Sequence, residues 1–109
     1  MTNDSSYIFI KTGTLINKVH LSDIYAIESE GNYCTIKTTT EDYVQRSSLT
    51  KMKDRLGENG FVQVNKSTLL RINRVEHVNL TINEISVGGH QYTLSRNFRK
   101  DFIATLNLL

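Results

Sequence analysis

The sequence predicts a mainly β fold: antiparallel β-sheets of about eight to ten short strands, one short helix between strands and a C-terminal helix. Short runs rich in β-branched and aromatic residues predict the strands, because these side chains suit a pleated, half-buried surface. The connections between neighbouring runs have hairpin length, which favours antiparallel pairing. Only two segments repeat apolar residues with the period of a helix.

Five strands are predicted in the first half of the chain, at residues 7–11, 14–21, 24–30, 33–39 and 43–46. Gly13 separates the first two runs, and Gly31-Asn32 separates the next two, so each pair is expected to form a hairpin. Glycine and asparagine tolerate the positive φ that tight hairpin turns need. The polar residues 40–42 form the next turn.

The apolar period changes in the middle of the chain. Leu49, Met52 and Leu56 lie at i, i+3 and i+7, and charged residues fill the positions between them. This pattern predicts one apolar stripe on a short helix. Ser48 is expected to cap its N-terminus, and Gly57 is expected to stop it.

Strand character resumes in the second half of the chain, at residues 61–64, in an apolar series over residues 69–80, and at residues 84–87 and 90–94. Asn83 is expected to turn the chain, and Gly88-Gly89 is a hairpin signal. Ser95 is then expected to cap a final helix. That helix repeats apolar residues at Phe98, Phe102, Leu106 and Leu109, and we assign the stripe to the core.

Length and composition predict a single domain. The chain has 109 residues, 39% of them hydrophobic, and it has one Cys, so neither a disulfide framework nor a Cys-rich zinc site is expected. No apolar run approaches the ~20 residues that cross a bilayer. We expect a cytoplasmic protein without membrane contact. Residues 1–6 are expected to be a flexible tail or linker remnant, and residues 7–109 the domain.

The charges are distributed unevenly along the chain. Residues 1–43 carry three basic and six acidic side chains, whereas residues 44–109 carry ten basic and five acidic ones. A basic half indicates a polyanionic partner such as nucleic acid. The alternative is an ordinary solvated surface.

Residues for catalysis or metal binding are not clustered in the sequence. His20, His77 and His90 share no metal-ligand spacing, and Cys34 has no neighbouring base that would lower its pKa. Glu28 and Glu30 lie on one side of a predicted strand, but no cleft or second acid supports an acid–base site there. We therefore expect no enzymatic activity, no metal and no cofactor.

Four ordered segments resemble the LytTR family of bacterial DNA-binding domains: residues 21–33 (LSDIYAIESEGNY), 45–56 (QRSSLTKMKDRL), 60–73 (GFVQVNKSTLLRIN) and 92–98 (YTLSRNF). The resemblance covers roughly residues 7–107. It implies an elongated domain of antiparallel sheets whose loops enter successive major grooves of duplex DNA and bend it. It also implies a transcription regulator, usually with a receiver domain upstream, as in two-component response regulators.

The implied partners are therefore double-stranded DNA, expected as promoter direct repeats, and a receiver domain in the parent protein, with dimerisation on DNA as a further expectation. The chain departs from the family pattern at Asn65-Lys66-Ser67, where the family has His-Arg-Ser, and at Arg71, where the family often has Asn. Lys presents a point charge where Arg presents a bidentate fork, so the departures imply altered base preference. A β-rich protein-interaction module without DNA binding remains the alternative.

Arg96 is the leading candidate for DNA contact. It follows the predicted cap Ser95, so it lies in the first helical turn, where free backbone N–H groups favour phosphate. A cation there opposes the helix dipole, which indicates that another role retains it. Asn97, Arg99 and Lys100 follow it in the helix as further DNA-binding candidates, with solubilising charge as the alternative for the two cations.

Two predicted turns supply the remaining candidates. Asn65 and Lys66 precede a strand, and both residue types can pair with base edges in the major groove. Asn65 alternatively shapes the turn by bonding its own backbone. Asn32 and Tyr33 lie at a hairpin tip, where Asn also suits the turn and Tyr33 alternatively packs in the core.

Overall fold

The computed structural model describes residues 6–109, apart from the side chain of Glu58. Residues 1–5 of the predicted tail lie outside the described residues. Ten strands and two helices follow one another: β1 (Tyr7–Thr12), β2 (Leu15–His20), β3 (Ile24–Glu30), β4 (Tyr33–Thr38), β5 (Asp42–Arg46), α1 (Leu49–Leu56), β6 (Phe61–Asn65), β7 (Thr68–Arg71), β8 (Val75–Asn79), β9 (Glu84–Val87), β10 (His90–Thr93) and α2 (Arg96–Ala104).

The strands form three antiparallel sheets. β1 and β2 pair as a hairpin, the central sheet has the order β5-β4-β3-β7-β6, and the third sheet has the order β10-β9-β8. The predicted mainly β class with two helices is therefore confirmed.

The central sheet is buried on both faces. Ile27 and Leu69 lie opposite each other and belong to a core that includes residues of the β1–β2 hairpin and of α1. Ala26 and Leu70 form the next pair, and they belong to a second core with the third sheet and α2. Because successive side chains in a strand point to opposite faces, one apolar run serves both cores. The layers are thus hairpin and α1, central sheet, then third sheet and α2.

The apolar series predicted over residues 69–80 is not one strand. It divides into β7 and β8, with a 3-10 turn at Ile72–Arg74 between them. The turn carries the chain from the central sheet to the third sheet, which explains why apolar residues continue through it. A similar 3-10 turn, Leu21–Asp23, separates β2 from β3, so the second strand ends before Leu21.

Both helices begin where predicted, and only the second ends earlier than its apolar stripe suggested. In α1, the Ser48 hydroxyl accepts a hydrogen bond from the Lys51 N–H at 3.1 Å, so the predicted cap is confirmed. Gly57 has right-handed φ of −58°, and the left-handed conformation that redirects the chain falls at Gly60, with φ of 84°. The predicted stop at Gly57 is confirmed in position, because α1 ends at Leu56 with Gly57 as its C-cap, and a 3-10 turn follows before the chain reverses at Gly60.

In α2, Ser95 occupies the N-cap position, but its side chain makes no capping hydrogen bond. The helix ends at Ala104, and the Thr105 N–H donates to the Phe102 carbonyl at 3.0 Å. Phe102 is fully buried, and Leu106 packs against the second core from beyond the helix. The prediction that Leu109 continues the helical stripe is wrong, because it lies after the last turn and is exposed.

Candidate nucleic-acid interface

Turns from four separate parts of the chain lie along one edge of the central sheet. This edge is formed by the ends of the strands, not by an outer strand. β3 and β4 reverse at Gly31-Asn32, and β3 pairs with β7 so that Glu28 lies opposite Thr68. The β6–β7 turn therefore lies beside the β3–β4 turn. The Ser29 N–H donates to the Ser67 carbonyl at 2.8 Å and joins the two turns directly.

The same edge continues to β5 and to the start of α1. Tyr33 lies opposite Arg46 in the β4–β5 register, and the Ser47 N–H donates to the Asn32 carbonyl at 3.1 Å. An open cavity of about 320 Å³ lies here, lined by Gly31, Asn32, Arg46, Ser47, Ser48 and Lys51. The capped N-terminus of α1 therefore faces this concavity, and its dipole favours negative charge there.

The start of α2 lies at the other end of this edge. The Ser95 N–H donates to the Val64 carbonyl of β6 at 2.9 Å, and the Asn65 amide donates to the Thr93 carbonyl at 2.9 Å. These bonds place the β10–α2 junction beside the β6–β7 turn. Four steps of strand spacing, about 4.8 Å each, separate β5 from β6, so the turns extend over roughly 20 Å.

We call this surface the basic edge. It consists of the exposed residues Asn32, Tyr33, Arg46, Lys51, Lys66, Arg96, Asn97 and Lys100. Five of its members are cations, and Glu30 at the end of β3 is an exposed acidic neighbour. The excess of positive charge, on turns that stand at the margin of a rigid sheet, suits a polyanion.

Lys66 occupies the tip of the β6–β7 turn. Its side chain is exposed, and among the described residues no hydrogen bond or ion pair holds its ammonium group. Asn65 beside it behaves differently. Its Oδ1 accepts from the Ser67 N–H at 2.9 Å and from the Ser67 hydroxyl at 3.1 Å, while its Nδ2 is engaged with β10. Asn65 therefore shapes the turn, as the alternative interpretation of this residue expected.

The α2 candidates also divide into two groups. Arg96 and Asn97 are exposed in the first turn, and Lys100 is exposed one turn further along the same face. Arg99 points back into the fold. Its Nη1 donates to Asn83 Oδ1 at 2.5 Å and to the Leu80 carbonyl at 3.2 Å, so it fastens α2 to the β8–β9 loop.

The structure thus brings Asn32, Tyr33, Lys66 and Arg96 to one surface from three distant segments. Tyr33 is 49% exposed, which excludes the alternative that it packs in the core. Sequence reasoning missed Arg46 and Lys51. The hairpin register offered a signal for Arg46, because the strand predicted at residues 43–46 must pair antiparallel with the strand that Tyr33 begins.

The opposite edge of the sheet has a different character. A cavity of about 420 Å³ lies there between the central and third sheets, and Tyr25 and His90 stack across it with ring centroids 5.0 Å apart. Arg71 donates to the Leu21 carbonyl at 2.7 Å and Arg74 donates to the Ser22 carbonyl at 3.0 Å. These two cations therefore tie the turn between β7 and β8 to the turn before β3.

Metal ligands do not converge within residues 6–109, the Glu58 side chain aside: no group of three His, Cys, Asp or Glu side chains is placed to hold an ion. His77 Nε2 lies 2.9 Å from the Ser86 hydroxyl, and the Cys34 thiol donates to the Ser47 carbonyl at 3.3 Å. Burial raises the pKa of Cys34, so its thiol stays protonated at neutral pH. In the same part of the chain, neither helix has the length and apolarity to span a bilayer.

Comparison with known proteins gives a family match and several relatives. The family described as "LytTr DNA-binding domain" matches residues 15–107. The "Sensory transduction protein LytR" of Staphylococcus haemolyticus is 27% identical over 103 residues, which cover 91% of this chain and 40% of that protein. The protein of the same name from Streptococcus mutans is 25% identical over 92 residues, which cover 81% of this chain and 38% of that protein.

The "Transcriptional regulatory protein LytR" of Staphylococcus aureus strain N315 is 27% identical over 100 residues, covering 85% of this chain and 41% of that protein. The chain therefore spans about two fifths of the length of these curated relatives. A solved structure, "LytTr DNA-binding domain of putative methyl-accepting/DNA response regulator from Bacillus cereus", matches with a TM-score of 0.81 and 16% identity. It covers 96% of this chain and 100% of that chain, and at this identity it supports the fold alone.

Layered antiparallel sheets with exposed cations on the turns of one edge define a β-sheet domain that binds nucleic acid. Within that class, the chain belongs to the LytTr DNA-binding domain family, whose match covers most of its length. The resemblance drawn from the four sequence segments is thereby confirmed. No observation favours the alternative of a protein-interaction module without DNA binding.

Proposed function

We propose that this chain binds duplex DNA sequence-specifically, as the effector domain of a transcription regulator, with the turns of the basic edge inserted into major grooves. The proposal depends on one observation: three separate segments place exposed cations at one sheet edge, namely Arg46, Lys66 and Arg96. Counterion release by such cations supplies much of the affinity of a protein for DNA. The turns of the basic edge extend over roughly 20 Å, which exceeds the ~12 Å width of one major groove and supports contact beyond a single groove.

Base contacts are assigned to the exposed residues at the turn tips. Arg96 and Lys66 can donate to guanine O6 and N7, and Asn32 can pair with adenine. Tyr33, Asn97 and Lys100 stand beside them and are assigned to the sugar–phosphate backbone, together with Arg46 and Lys51. Asn65 and Arg99 keep supporting roles, because their polar groups are already engaged within the fold.

The relatives named as LytR proteins are longer than this chain, which supports a receiver domain in the parent protein as a further part of the proposal. Residues 7–109 then form the DNA-binding domain, with residues 1–6 as the linker. Promoter direct repeats, a dimer on DNA and a cytoplasmic location complete the proposal. The direct repeats and the dimer are expectations from the family resemblance, and the cytoplasmic location matches a regulator that binds bacterial promoters.

The test is binding to a randomised duplex library, followed by Kd measurements on the selected duplex and a scrambled duplex over a range of salt. We expect saturable binding whose log K falls with log salt at a slope of about −0.9 for each phosphate neutralised. Selection of no sequence, or no binding to any duplex at low salt, would overturn the proposal.

Arg96→Ala provides the matching site test. The variant should lose about 1–3 kcal/mol on the selected duplex, or about 5- to 150-fold in Kd, and relax preference at one base position. Lys37→Gln is the control, because Lys37 lies at the far end of the β4–β5 ladder and pairs with Asp42 at 3.2 Å. A loss as large in the control as in Arg96→Ala would contradict the assignment.

A further inference from the structure

Two polar side-chain bonds cross from the central sheet to β10 directly behind the basic edge. The Tyr92 hydroxyl on β10 donates to Glu28 Oε2 on β3 at 2.8 Å. The Asn65 amide at the end of β6 donates to the Thr93 carbonyl at 2.9 Å. Arg96 follows Thr93 after two residues, so both bonds act on the segment that carries the start of α2.

The first bond is built into a partly buried environment. Tyr92 packs against the second core, and burial together with the hydrogen bond to Glu28 raises the pKa of its phenol. The hydroxyl therefore remains a donor across the physiological pH range. Glu28 lies in the centre of the sheet, opposite Thr35 on β4 and Thr68 on β7. Its position is fixed by two strand ladders, so it is a rigid anchor.

The second bond starts from the turn that carries Lys66. One side chain, Asn65, receives two bonds from Ser67 through Oδ1 and gives one bond to β10 through Nδ2. The same residue therefore shapes the β6–β7 turn and links it to the β10–α2 junction. Within residues 6–109, the Ser95 N–H bond to the Val64 carbonyl and the packing of α2 against β6 also connect these two segments.

We propose that Tyr92–Glu28 and Asn65–Thr93 are positioning contacts that set the separation and orientation of Lys66 and Arg96, and so determine the spacing of the base pairs that the two side chains contact. The inference rests on the proposed DNA-binding function. Apolar packing holds the sheets together without preferred direction, whereas hydrogen bonds are directional. Sites of recognition need their contacting groups held within about 0.5 Å, which the directional bonds supply.

The fold provides a matched control at the other end of the same two strands. Tyr25 on β3 and His90 on β10 meet at the opposite edge, with 3.3 Å between the hydroxyl and Nε2. Tyr25→Phe therefore removes a hydroxyl from a β3–β10 contact without touching the basic edge. Tyr92→Phe removes a hydroxyl from the same pair of strands behind that edge.

The experiment compares Tyr92→Phe and Tyr25→Phe on three duplexes: the selected site, a scrambled site, and the selected site with one base pair inserted between the two contacted positions. Tyr92→Phe should lose about five- to tenfold on the selected site, the range expected for one hydrogen bond. It should bind the scrambled duplex as tightly as the parent. Its discrimination against the inserted duplex should fall, because the spacing is no longer fixed, and Tyr25→Phe should match the parent throughout.

Two variants of Glu28 test whether loss of the Tyr92–Glu28 bond, and not a general loss of stability, causes the change in binding. Glu28→Gln keeps an acceptor oxygen for Tyr92 and should restore parental discrimination, whereas Glu28→Leu should reproduce Tyr92→Phe. Amide hydrogen exchange, measured without DNA, should show faster exchange at Ser95 and Phe98, whose N–H groups are hydrogen-bonded, in Tyr92→Phe than in Tyr25→Phe.

The outcomes distinguish the inference from the function on which it rests. If the parent binds no duplex specifically, the proposed function fails, and the inference fails with it. If the parent binds specifically while Tyr92→Phe keeps full spacing discrimination, or loses equally on selected and scrambled duplexes, only the inference is overturned.

Discussion

Tyr33 and Arg46 lie directly opposite each other on neighbouring strands, and both side chains are exposed at the basic edge. Opposed residues on antiparallel strands have Cβ atoms about 5 Å apart, so the ring and the guanidinium present one combined surface. The β3–β4 turn and the end of β5 therefore form one continuous surface, although the two residues are 13 positions apart in sequence.

Arg46→Ala is expected to weaken binding about equally on selected and scrambled duplexes and to lower the salt slope by roughly 1, because the proposal assigns Arg46 to the sugar–phosphate backbone. Binding isotherms at several salt concentrations measure both effects. Lys37→Gln, on the same ladder, should change neither. A loss restricted to the selected duplex would instead assign a base contact to Arg46.

Substitutions at Lys66 distinguish a base contact by this residue from a phosphate contact. If it contacts a guanine, Lys66→Ala should lose affinity on the selected duplex and relax preference at one position. Lys66→Arg should then shift preference or gain affinity for guanine, since Arg adds a planar fork. We expect this result, because Lys66 is exposed at the tip of its turn. Equal losses on both duplexes for Lys66→Ala, with Lys66→Arg neutral, would leave Lys66 as a phosphate contact.

Arg99→Ala is expected to lower the free energy of unfolding by about 1–3 kcal/mol, because it removes charged hydrogen bonds to Asn83 and Leu80. Asn83 has φ of 53°, a left-handed conformation that asparagine tolerates, so Arg99 bonds to the residue that turns the β8–β9 loop. Urea denaturation measures the change. Lys100→Ala, an exposed neighbour, should stay within about 0.5 kcal/mol of the parent. Unchanged stability with a reduced salt slope would make Arg99 a DNA contact.

Cys34 is expected to react with a thiol reagent about a hundredfold or more slowly in the native protein than in urea, because it is fully buried. Its raised pKa also gives a pH dependence. The unfolded thiol ionises near pH 8.5 and the folded thiol at higher pH, so stability should fall as the pH rises above about 8. Cys34→Ala should lack that part of the decline. Rapid native labelling would contradict the burial.

Local patterns in the sequence predicted most elements of the fold. Alternating runs and turn residues located the hairpins, and Ser48 with its apolar stripe located α1. The pattern failed where tertiary contacts override it. The apolar series after Leu69 continues in the sequence without a break because the central sheet and the third sheet each bury part of it. The 3-10 turn at Ile72–Arg74 divides this series into two strands.

The candidate site was only partly predictable for a related reason. Residue type and turn position identified Lys66, Arg96 and Asn32 as candidates. The same signals selected Asn65 and Arg99, whose polar groups are engaged within the fold. Whether a polar side chain in a turn is free or engaged depends on which distant strand passes beside it, and no local pattern records that neighbour.

Short segments of sequence were enough to predict the strand and helix content, the hairpin turns and the family, because those depend on backbone preferences and on local motifs. The tertiary structure decided which turns share an edge, which cations remain exposed there and which side chains hold the turns in place. The physical reason is that strand pairing joins residues far apart in the chain. The bond from Tyr92 to Glu28 spans 64 positions, and its 2.8 Å length depends on how two sheets pack.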